Sequence, residues 1–390
     1  MPHKLTLVSA YYPSHRGGIE IVAGELASRL ARHHDYQIEW FASDTDPTPQ
    51  YSAVDSIRCR PQRAWNKTER ALGIPFPIWP ISALVELSRS IESADCVHVH
   101  DFVYPCSQAA IWLAKHHQKP LLVTQHIGCV PYQSRIARWT LASLNRIVGA
   151  ISLSRANQVV FVSEAVHTYF RQFVSFRRPA LYIPNGVDRN VFHPVADAVK
   201  CQLRAEYSLS SMRPVFLFVG RFVEKKGLRL LAHLAQTIPD VQWVFAGHGP
   251  LDPEAWGLPN IRVLRNVSGK SLAKIYQLAD LLVLPSRGEG FPLVVQESMA
   301  CGTPAIVSSE TWYGCPAAKN VLLHEKCDAT DSEILWQRRL ETLVRAPEML
   351  RKLGVLGAQF AMTYWDWASC VRQYASLAAD LIRDRDSRIG

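Results

Sequence analysis

Paired cysteines are missing from this sequence. Its nine cysteines stand singly, no CxxC pair occurs, and most of them lie in apolar surroundings. A disulfide framework or a zinc ribbon needs cysteines at close, regular spacings. The pattern therefore predicts reduced, buried thiols in a cytosolic protein.

Long apolar runs are missing as well. No stretch reaches the roughly 18 apolar residues that a membrane-spanning helix needs. The first residues, MPHKLTLVSAYYPSHRGG, enter a strand-like run and lack the apolar core of a signal peptide. Both absences predict a cytoplasmic protein. A length of 390 residues, with 48% hydrophobic and 20% charged residues, is typical of a soluble protein of two domains.

Common nucleotide and nucleic-acid motifs are also absent. No Walker A sequence, no GxGxxG, no repeat of 20–50 residues and no helix-turn-helix, RRM or OB pattern occurs. A nucleic-acid partner is therefore not expected.

Acidic residues are scarce in one region. The net charge is +9, and residues 127–185 hold seven arginines but one acid, Glu164. Such a local basic excess suggests an anionic partner.

Within this region, residues 134–156 read as one amphipathic helix. Its predicted apolar face holds Ile136, Leu144, Ile147, Val148 and Ile151, and its opposite, basic side holds Arg135, Arg138 and Arg146 with Trp139 at the border. The pattern fits a helix resting on anionic lipid, or equally a domain helix with a solvated basic face. The proline-stiffened loop 71–84 offers Phe76 and Trp79 to lipid in the first case.

Short apolar runs alternate with segments of helical period. Strands are predicted at 4–10, 36–42, 96–100, 120–126, 158–163, 214–220, 241–247, 261–267, 281–286 and 305–309. Helices are predicted at 19–33, 109–117, 134–156, 226–238, 271–279 and 292–300. This alternation predicts an α/β protein with two Rossmann-like, doubly wound parallel sheets. In such folds ligands bind in a cleft at the carboxyl ends of the strands.

Two glutamates stand eight residues apart in SRGEGFPLVVQESMACGTP, residues 286–304. Glu289 lies in a turn after a buried strand, and Glu297 lies about one and a half turns into the next helix. Free amides at the helix start bind phosphate oxygens, and carboxylates accept hydrogen bonds from hydroxyls. A sugar nucleotide offers both groups. The alternative makes Glu289 a helix-start charge and Glu297 a surface residue.

Two further segments suit a phosphate ligand. In VGRFVEKKG, Arg221 and Lys226 follow a buried strand and could neutralise a diphosphate, whereas Glu224 and Lys225 fit a solvated charge run. In YYPSHRGGIE, the Gly17–Gly18 turn between a strand and a helix allows a close backbone approach.

These motifs together resemble the retaining GT-B glycosyltransferases of family 4, the "glycosyl transferases group 1". The segments that carry the resemblance, in chain order, are Gly17–Gly18, TQHIG (124–128), VVFVSEAV (159–166), IPNGVDRNVF (183–192), VGRFVEKKG (219–227) and EGFPLVVQESMACGTP (289–304). The resemblance implies an acceptor-binding domain at 1–186, a nucleotide-sugar domain at 187–365 and a helix at 366–390 that crosses back to the first domain.

The resemblance also implies roles for single residues. Glu289 would contact donor-sugar hydroxyls and, with His126 near the anomeric carbon, form the catalytic set. Glu297 would hold the ribose, Arg221 and Lys226 the diphosphate. The donor-binding residues expected in full are Gly17, Gly18, Arg221, Lys226, Gly290, Phe291, Pro292, Leu293 and Glu297. Neither a metal nor another cofactor is expected, because members of the family usually transfer without a bound metal. The leaving diphosphate is thought to help deprotonate the incoming hydroxyl.

The expected reaction is therefore transfer of a sugar from a UDP or GDP donor to a glycan or lipid-linked acceptor in surface polysaccharide or lipopolysaccharide assembly. A hydrolysing UDP-sugar 2-epimerase and a non-catalytic sugar-nucleotide-binding partner are the alternatives. Residues 308–331 lack the family's usual glycine-rich spacing, so the donor base is left open. The protein is expected in the cytoplasm, with peripheral membrane contact through 134–156 and 71–84 as an option.

Two motifs resemble metal-binding patterns. Asp44 and Asp46 form a DxD pattern in SDTDP, but turn acids explain them better. His98 and His100 alternate on a strand and so point the same way. No cysteine or carboxylate stands at standard spacing, which favours a structural role for both histidines.

Overall fold

The computed structural model describes residues 2–51, 56–66, 76–128 and 135–389. These residues form two compact units. One comprises the described residues up to 184 together with 368–389, and the other comprises 185–367. Within the described ranges, no helix is both long and apolar enough to span a bilayer.

The first unit is built on a parallel sheet with the strand order β3-β2-β1-β4-β5-β6-β7. Its strands are β1 His3–Val8, β2 Tyr36–Ser43, β3 Ile57–Gln62, β4 Cys96–His100, β5 Leu121–Gln125, β6 Gln158–Phe161 and β7 Leu181–Tyr182. The order reverses between β1 and β4. Loops at the carboxyl ends of these two strands leave to opposite faces of the sheet and open a crevice, which is where doubly wound sheets bind ligands.

The second unit repeats this plan with the order β10-β9-β8-β11-β12-β13. Its strands are β8 Val215–Val219, β9 Gln242–Ala246, β10 Ile261–Leu264, β11 Leu281–Leu284, β12 Ala305–Ser308 and β13 Leu323–Glu325. Every residue of β8, β9 and β11 is buried. Helices on both faces explain why these strands are apolar throughout. Here the order reverses between β8 and β11.

Helices connect the strands of both sheets. In chain order they are α1 Gly18–His33, α2 Ile81–Ser93, α3 Pro105–His116, α4 Arg135–Leu144, α5 Ala150–Arg155, α6 Glu164–Arg171, α7 Asp197–Glu206, α8 Leu228–Thr237, α9 Gly269–Leu278, α10 Leu293–Ala300, α11 Ser309–Tyr313, α12 Ser332–Val344, α13 Pro347–Tyr364 and α14 Trp367–Ile389. A π-helical segment, Asn145–Gly149, joins α4 to α5.

The last helix returns to the first unit. The Tyr36 hydroxyl donates a hydrogen bond to the Ala375 carbonyl at 3.2 Å, and the Thr124 hydroxyl donates to the Tyr374 hydroxyl at 3.2 Å. Arg385 donates to the Asp95 carbonyl at 3.3 Å. The chain passes from the first unit to the second between residues 184 and 185, and it returns to the first unit between residues 367 and 368. These points lie within two residues of the boundaries expected at 186 and 366.

The α/β class with two parallel sheets is confirmed, and each predicted strand is present. Three edge strands were not predicted: β3, β7 and β13. The sequence of β3, IRCRPQ, contains Pro61 and mixed polar residues, and β7 has two residues. Sequence periodicity is weakest for strands such as these, which are short or exposed on one side.

The prediction of a loop over residues 71–84 is partly wrong. Residues 71–75 lie outside the described ranges, and α2 begins at Ile81 after Pro80. The expectation that Trp79 contacts lipid is contradicted, since its side chain is buried and its indole N–H donates to the Ser43 hydroxyl at 3.0 Å. A tryptophan can enter a core when its N–H finds such an acceptor.

The two aspartates of the DxD motif contact different partners. Asp44 accepts a hydrogen bond from the Ala64 amide at 3.2 Å, and Asp46 pairs with His15 at 2.8 Å. The described part of the chain contains no group of three or more His, Cys, Asp or Glu residues arranged to hold a metal ion. Six of the eight described cysteines are buried.

Candidate active site

Charged side chains of two loops meet at the point where the second sheet reverses its order. The loop after β8 carries Arg221, Lys225 and Lys226, and the loop after β11 carries Glu289. Lys226 Nζ lies 2.9 Å and Lys225 Nζ 3.7 Å from Glu289 Oε1. We call these four residues the charged cluster. The structure therefore brings together the two segments that the sequence analysis singled out separately.

The charged cluster keeps Glu289 ionised. Burial would raise the pKa of this carboxyl, but the ammonium groups of Lys226 and Lys225, with the Arg221 guanidinium, outweigh burial and lower it. The Glu289 side chain is 14% exposed. A carboxylate that is held ionised and partly open can accept hydrogen bonds from ligand hydroxyls.

Lys225 is a member that the sequence analysis missed. It was assigned to a solvated charge run, yet its side chain is 31% exposed and turns toward Glu289. Glu289 favours the ammonium form, but burial and the charges of Lys226 and Arg221 together lower the pKa of Lys225. Adjacent lysines in a sequence do not reveal which of them turns inward, so no sequence signal identified it.

Glu297 has a different environment from Glu289. Its Oε2 accepts a hydrogen bond from the Tyr276 hydroxyl of α9 at 2.8 Å. Burial raises the pKa of Glu297 to about 7, although the Tyr276 bond acts in the opposite sense. The second glutamate of the pair is thus held by a neighbouring helix and lacks a lysine partner among the residues that shift its pKa.

The start of α10 presents backbone amides beside the charged cluster. Pro292 precedes the helix, so the first-turn N–H groups, beginning at Leu293, have no acceptor inside it. Phe291 is buried, with its ring 5.4 Å from that of Trp365, and anchors the turn that contains Gly290. Such a helix start can bind an anionic group.

The atypical segment 308–331 supports this turn. Glu310, in α11, accepts a hydrogen bond from the Gly288 amide at 3.0 Å, and burial raises the pKa of Glu310. The sequence analysis noted that the segment departs from the family pattern but did not identify Glu310. Its position directly after a buried strand, like that of Glu289, is the signal that could have found it.

The glycine turn of the first unit lies after β1. A Cβ at Gly17 would stand 2.0 Å from a carboxylate oxygen of buried Glu20, whereas one at Gly18 would meet nothing within 4 Å. The Glu20 side chain therefore lies over Gly17, whereas Gly18 is the position that leaves open space. Sequence reasoning did not identify Glu20, because a glutamate in a first helical turn is ordinary.

His126 directly follows β5, next to the strand reversal of the first sheet. Its amide and that of Ile127 both donate to Asp101 Oδ1, at 2.9 and 3.3 Å. Its ring Nε2 lies 3.0 Å from His100 Nδ1. Burial lowers the pKa of His126 to about 3 and raises that of Asp101 to about 7. Asp101 and His100 were not among the predicted site residues.

Family profiles match most of the chain. "Glycosyltransferase Family 4" matches residues 16–191, and "Glycosyl transferases group 1" matches residues 213–333. Each match lies mainly in one of the two units, and together the matches include the charged cluster, Glu297, Glu310 and His126.

Curated relatives carry related names. A D-inositol 3-phosphate glycosyltransferase of Segniliparus rotundus is 29% identical over 284 residues, which are 68% of this chain and 62% of that protein. The match thus spans less than two thirds of this relative's length. An alpha-maltose-1-phosphate synthase of Mycolicibacterium smegmatis is 25% identical, covering 93% of this chain and 95% of the relative.

Solved structures show the same fold. Sucrose-phosphate synthase from Thermosynechococcus elongatus aligns with a TM-score of 0.78 and 21% identity, covering 98% of this chain and 100% of that one. Anabaena HepE in complex with UDP-glucose aligns with a TM-score of 0.71 and 16% identity, covering 97% and 99%. The fold is therefore GT-B, and the chain belongs to glycosyltransferase family 4.

Proposed function

We propose that this protein transfers a sugar from a UDP or GDP donor to a glycan or lipid-linked acceptor, with retention at the anomeric carbon and without a bound metal. The observation that supports this most directly is the charged cluster at the strand reversal of the second sheet. The cluster supplies cations and an ionised carboxylate, and the start of α10 supplies free amides. These are the groups that bind a diphosphate joined to a sugar.

The cations of the cluster support a role in leaving-group departure. Negative charge builds on the diphosphate as the bond to the sugar breaks, and fixed cations stabilise that charge where it forms. Arg221 is exposed, and Lys226 is held by Glu289. In this proposal Arg221, Lys226 and the amides of Gly290, Phe291 and Leu293 hold the diphosphate, with Pro292 shaping the turn. Glu289 holds sugar hydroxyls and Glu297 holds the ribose.

In this proposal the first unit binds the acceptor, and His126 and the Gly17–Gly18 turn keep the roles that the family resemblance implies for them. The surface near α4 and α5 supports an acceptor at a membrane. Trp139 is 73% and Ile147 63% exposed, and Arg146 is exposed between them in sequence. Such side chains suit an anionic lipid surface. We place the protein in the cytoplasm, in peripheral contact with the membrane and in surface polysaccharide or lipopolysaccharide assembly.

Donor binding and transfer test the proposal. Saturation-transfer NMR against UDP-, GDP-, ADP- and TDP-sugars, in the presence of EDTA, is expected to identify one bound donor. Transfer of labelled sugar from that donor to a membrane extract is then measured. Glu289→Gln keeps the size of the side chain but removes its charge, and it is expected to lower transfer by about 100-fold, in the range found for loss of one preorganised polar group.

Glu224→Gln is the matched control, because Glu224 lies in the same loop as Lys226 but its carboxylate pairs with the 81% exposed Arg229. It is expected to keep transfer within about twofold. Full transfer by Glu289→Gln would contradict the assigned role. Deuterium exchange at sugar C2 without transfer would indicate an epimerase, and tight binding without any turnover would indicate a non-catalytic partner.

A further inference from the structure

Three buried histidines lie side by side where β4 and β5 end. His98 and His100 share one face of β4, with ring centroids 4.5 Å apart, and His126 follows β5. His98 Nε2 lies 2.8 Å from the Thr124 hydroxyl, whereas His100 Nδ1 lies 3.0 Å from Nε2 of His126. The two histidines of β4 thus have different partners, and it is His100 that contacts the proposed catalytic histidine.

The hydrogen bond between His100 and His126 contains one proton, which belongs to one of the two rings. A hydrogen bond between two neutral imidazoles needs one N–H and one lone pair. Burial lowers the pKa of both rings, so both are neutral at physiological pH. The donor is therefore either Nδ1 of His100 or Nε2 of His126. In the first case both rings carry their proton on Nδ1, and in the second case both carry it on Nε2.

The other nitrogen of His100 decides between these cases. His100 Nε2 is fully buried and has no hydrogen-bond partner among the described residues. If His126 were the donor, His100 would carry its proton on Nε2 and leave a buried N–H unpaired, which is rare and costly in folded proteins. If His100 donates through Nδ1, its Nε2 is merely an unfilled acceptor, which is tolerated more often.

The tautomer of His126 follows from this choice. A neutral imidazole that accepts at Nε2 carries its proton on Nδ1. Among the described residues, none forms a hydrogen bond with His126 Nδ1, so its N–H is left to donate to a ligand. The Asp101 carboxylate, which accepts from the His126 amide, fixes the backbone that carries this ring.

We infer that His100 is a positioning residue that holds His126 in the Nδ1–H tautomer, which leaves this N–H to donate a hydrogen bond to a ligand hydroxyl. The identity of this ligand rests on the proposed function; the tautomer does not. His126 in this state is a neutral donor and not a general base, because the lone pair that a base needs is occupied by His100.

Nitrogen-15 NMR of histidine-labelled protein tests the tautomer without any substrate. Long-range ¹H–¹⁵N spectra separate a protonated ring nitrogen from an unprotonated one, and His126→Asn identifies the His126 signals by their loss. The expected pattern at pH 7 has the proton on Nδ1. A proton on Nε2, or a doubly protonated ring, would overturn the inference whether or not the protein transfers sugar.

His100→Leu tests the positioning role. Removing the N–H donor is expected to move the His126 Nε2 resonance downfield, toward the position of an imidazole nitrogen that accepts no hydrogen bond. It should also lower kcat by about tenfold, as for loss of one hydrogen bond. His98→Leu is the matched control, since His98 is equally buried on the same face of β4 but bonds to Thr124. It should leave the His126 shifts in place and kcat within about twofold.

Two substitutions of His126 itself complete the test. Asparagine places an amide N–H near the position of Nδ1, and glutamine places one near Nε2, toward His100. The inference expects His126→Asn to keep more activity than His126→Gln by about tenfold. The reverse order would overturn it, and this comparison stands even if His100→Leu fails to fold. If every variant loses transfer while the wild type shows the expected tautomer, the tautomer inference is supported and only the proposed function is contradicted.

Discussion

At the scale of single residues, the pKa values of two glutamates of one motif are shifted in opposite directions. Glu289 and Glu297 are eight positions apart, and burial acts on both in the same direction. The lysines beside Glu289 reverse that effect, whereas Glu297 faces a tyrosine hydroxyl, which is too weak to do so. A ligand would thus meet one charged and one largely neutral carboxyl near pH 6.

The raised pKa of Glu297 makes stability depend on pH. The folded-state pKa is about 7 against an ordinary value of 4.5, so this group contributes stability below pH 4.5 that is lost as the pH rises through 7. A shift of this size is worth at most about 3 kcal/mol, and less for a side chain that is not fully buried. Glu297→Gln is therefore expected to be less sensitive to pH than the wild type over this window, by about 1–2 kcal/mol, in urea unfolding at pH 5 and pH 8.

Glu348→Gln serves as the control for this comparison. The Glu348 side chain is 79% exposed and pairs with Arg351 on the surface of α13, so its removal should leave the pH profile of the wild type unchanged. Equal pH dependence in the wild type and Glu297→Gln would show that Glu297 titrates normally.

At the scale of elements, the predicted helix 134–156 differs from an ordinary amphipathic helix. The π-helical segment Asn145–Gly149 breaks it, and a π turn changes which residues share a face. Ile147 and Ile151 were predicted on an apolar face opposite the arginines, yet both are exposed, as are Trp139 and Arg146. Exposed apolar side chains and an exposed basic side chain therefore occur together in this segment.

We expect the α4–α5 surface to bind anionic vesicles. Trp139→Ser with Ile147→Ser should weaken binding by at least tenfold, because each large apolar side chain contributes about 1.5–3 kcal/mol when it leaves water. Raising the salt concentration should weaken wild-type binding by screening the arginines. Cosedimentation with vesicles that contain anionic lipid measures both effects.

Trp112→Ser is the matched control for this surface. Trp112 lies on α3 of the same unit, is 57% exposed and stacks on His116. If it weakens vesicle binding as much as the double variant does, or if the wild type does not bind, the surface near α4 and α5 has no specific role in membrane contact.

At the scale of the whole molecule, each unit has a core of its own, but the first is not continuous in sequence. Val371, Tyr374, Leu381 and Ile382 of α14 are buried in the unit that begins at the N-terminus. The α14 side chains that the first unit buries are therefore separated from the rest of that unit by the complete second unit in the sequence.

A chain ending at Trp367 is expected to lose the first unit and keep the second. Removing four buried side chains of this size forfeits more than about 5 kcal/mol, which is comparable with the total stability of a domain. Calorimetry should show one unfolding transition in place of two, and limited proteolysis should leave a fragment that begins near residue 185.

The control for this truncation ends at Asp386, which retains the bond from Arg385 to the Asp95 carbonyl. It is expected to unfold like the full chain. A first unit that keeps its own transition without α14 would show that the returning helix is not part of the folding core.

Much of the architecture was determined by the sequence alone. Continuous apolar strands such as VFLFV, separated by helical periods, specify parallel sheets covered on both sides, because period and burial act locally. The motifs around Arg221, Lys226 and Glu289 followed from residue type and position after a strand. The strands β3, β7 and β13 were missed because their stability comes from neighbouring strands and not from their own pattern.

The tertiary structure determined the contacts between distant residues, which the local sequence pattern does not reveal. Lys225 turns to Glu289, Glu310 holds the Gly288 amide, and His100 reaches His126 across two strands. Each of these contacts joins residues that are distant in sequence, and each sets a charge or a proton position through burial and partner choice. Ionisation depends on what surrounds a group in space, so only the folded chain determines which carboxyl is charged and which imidazole nitrogen carries the proton.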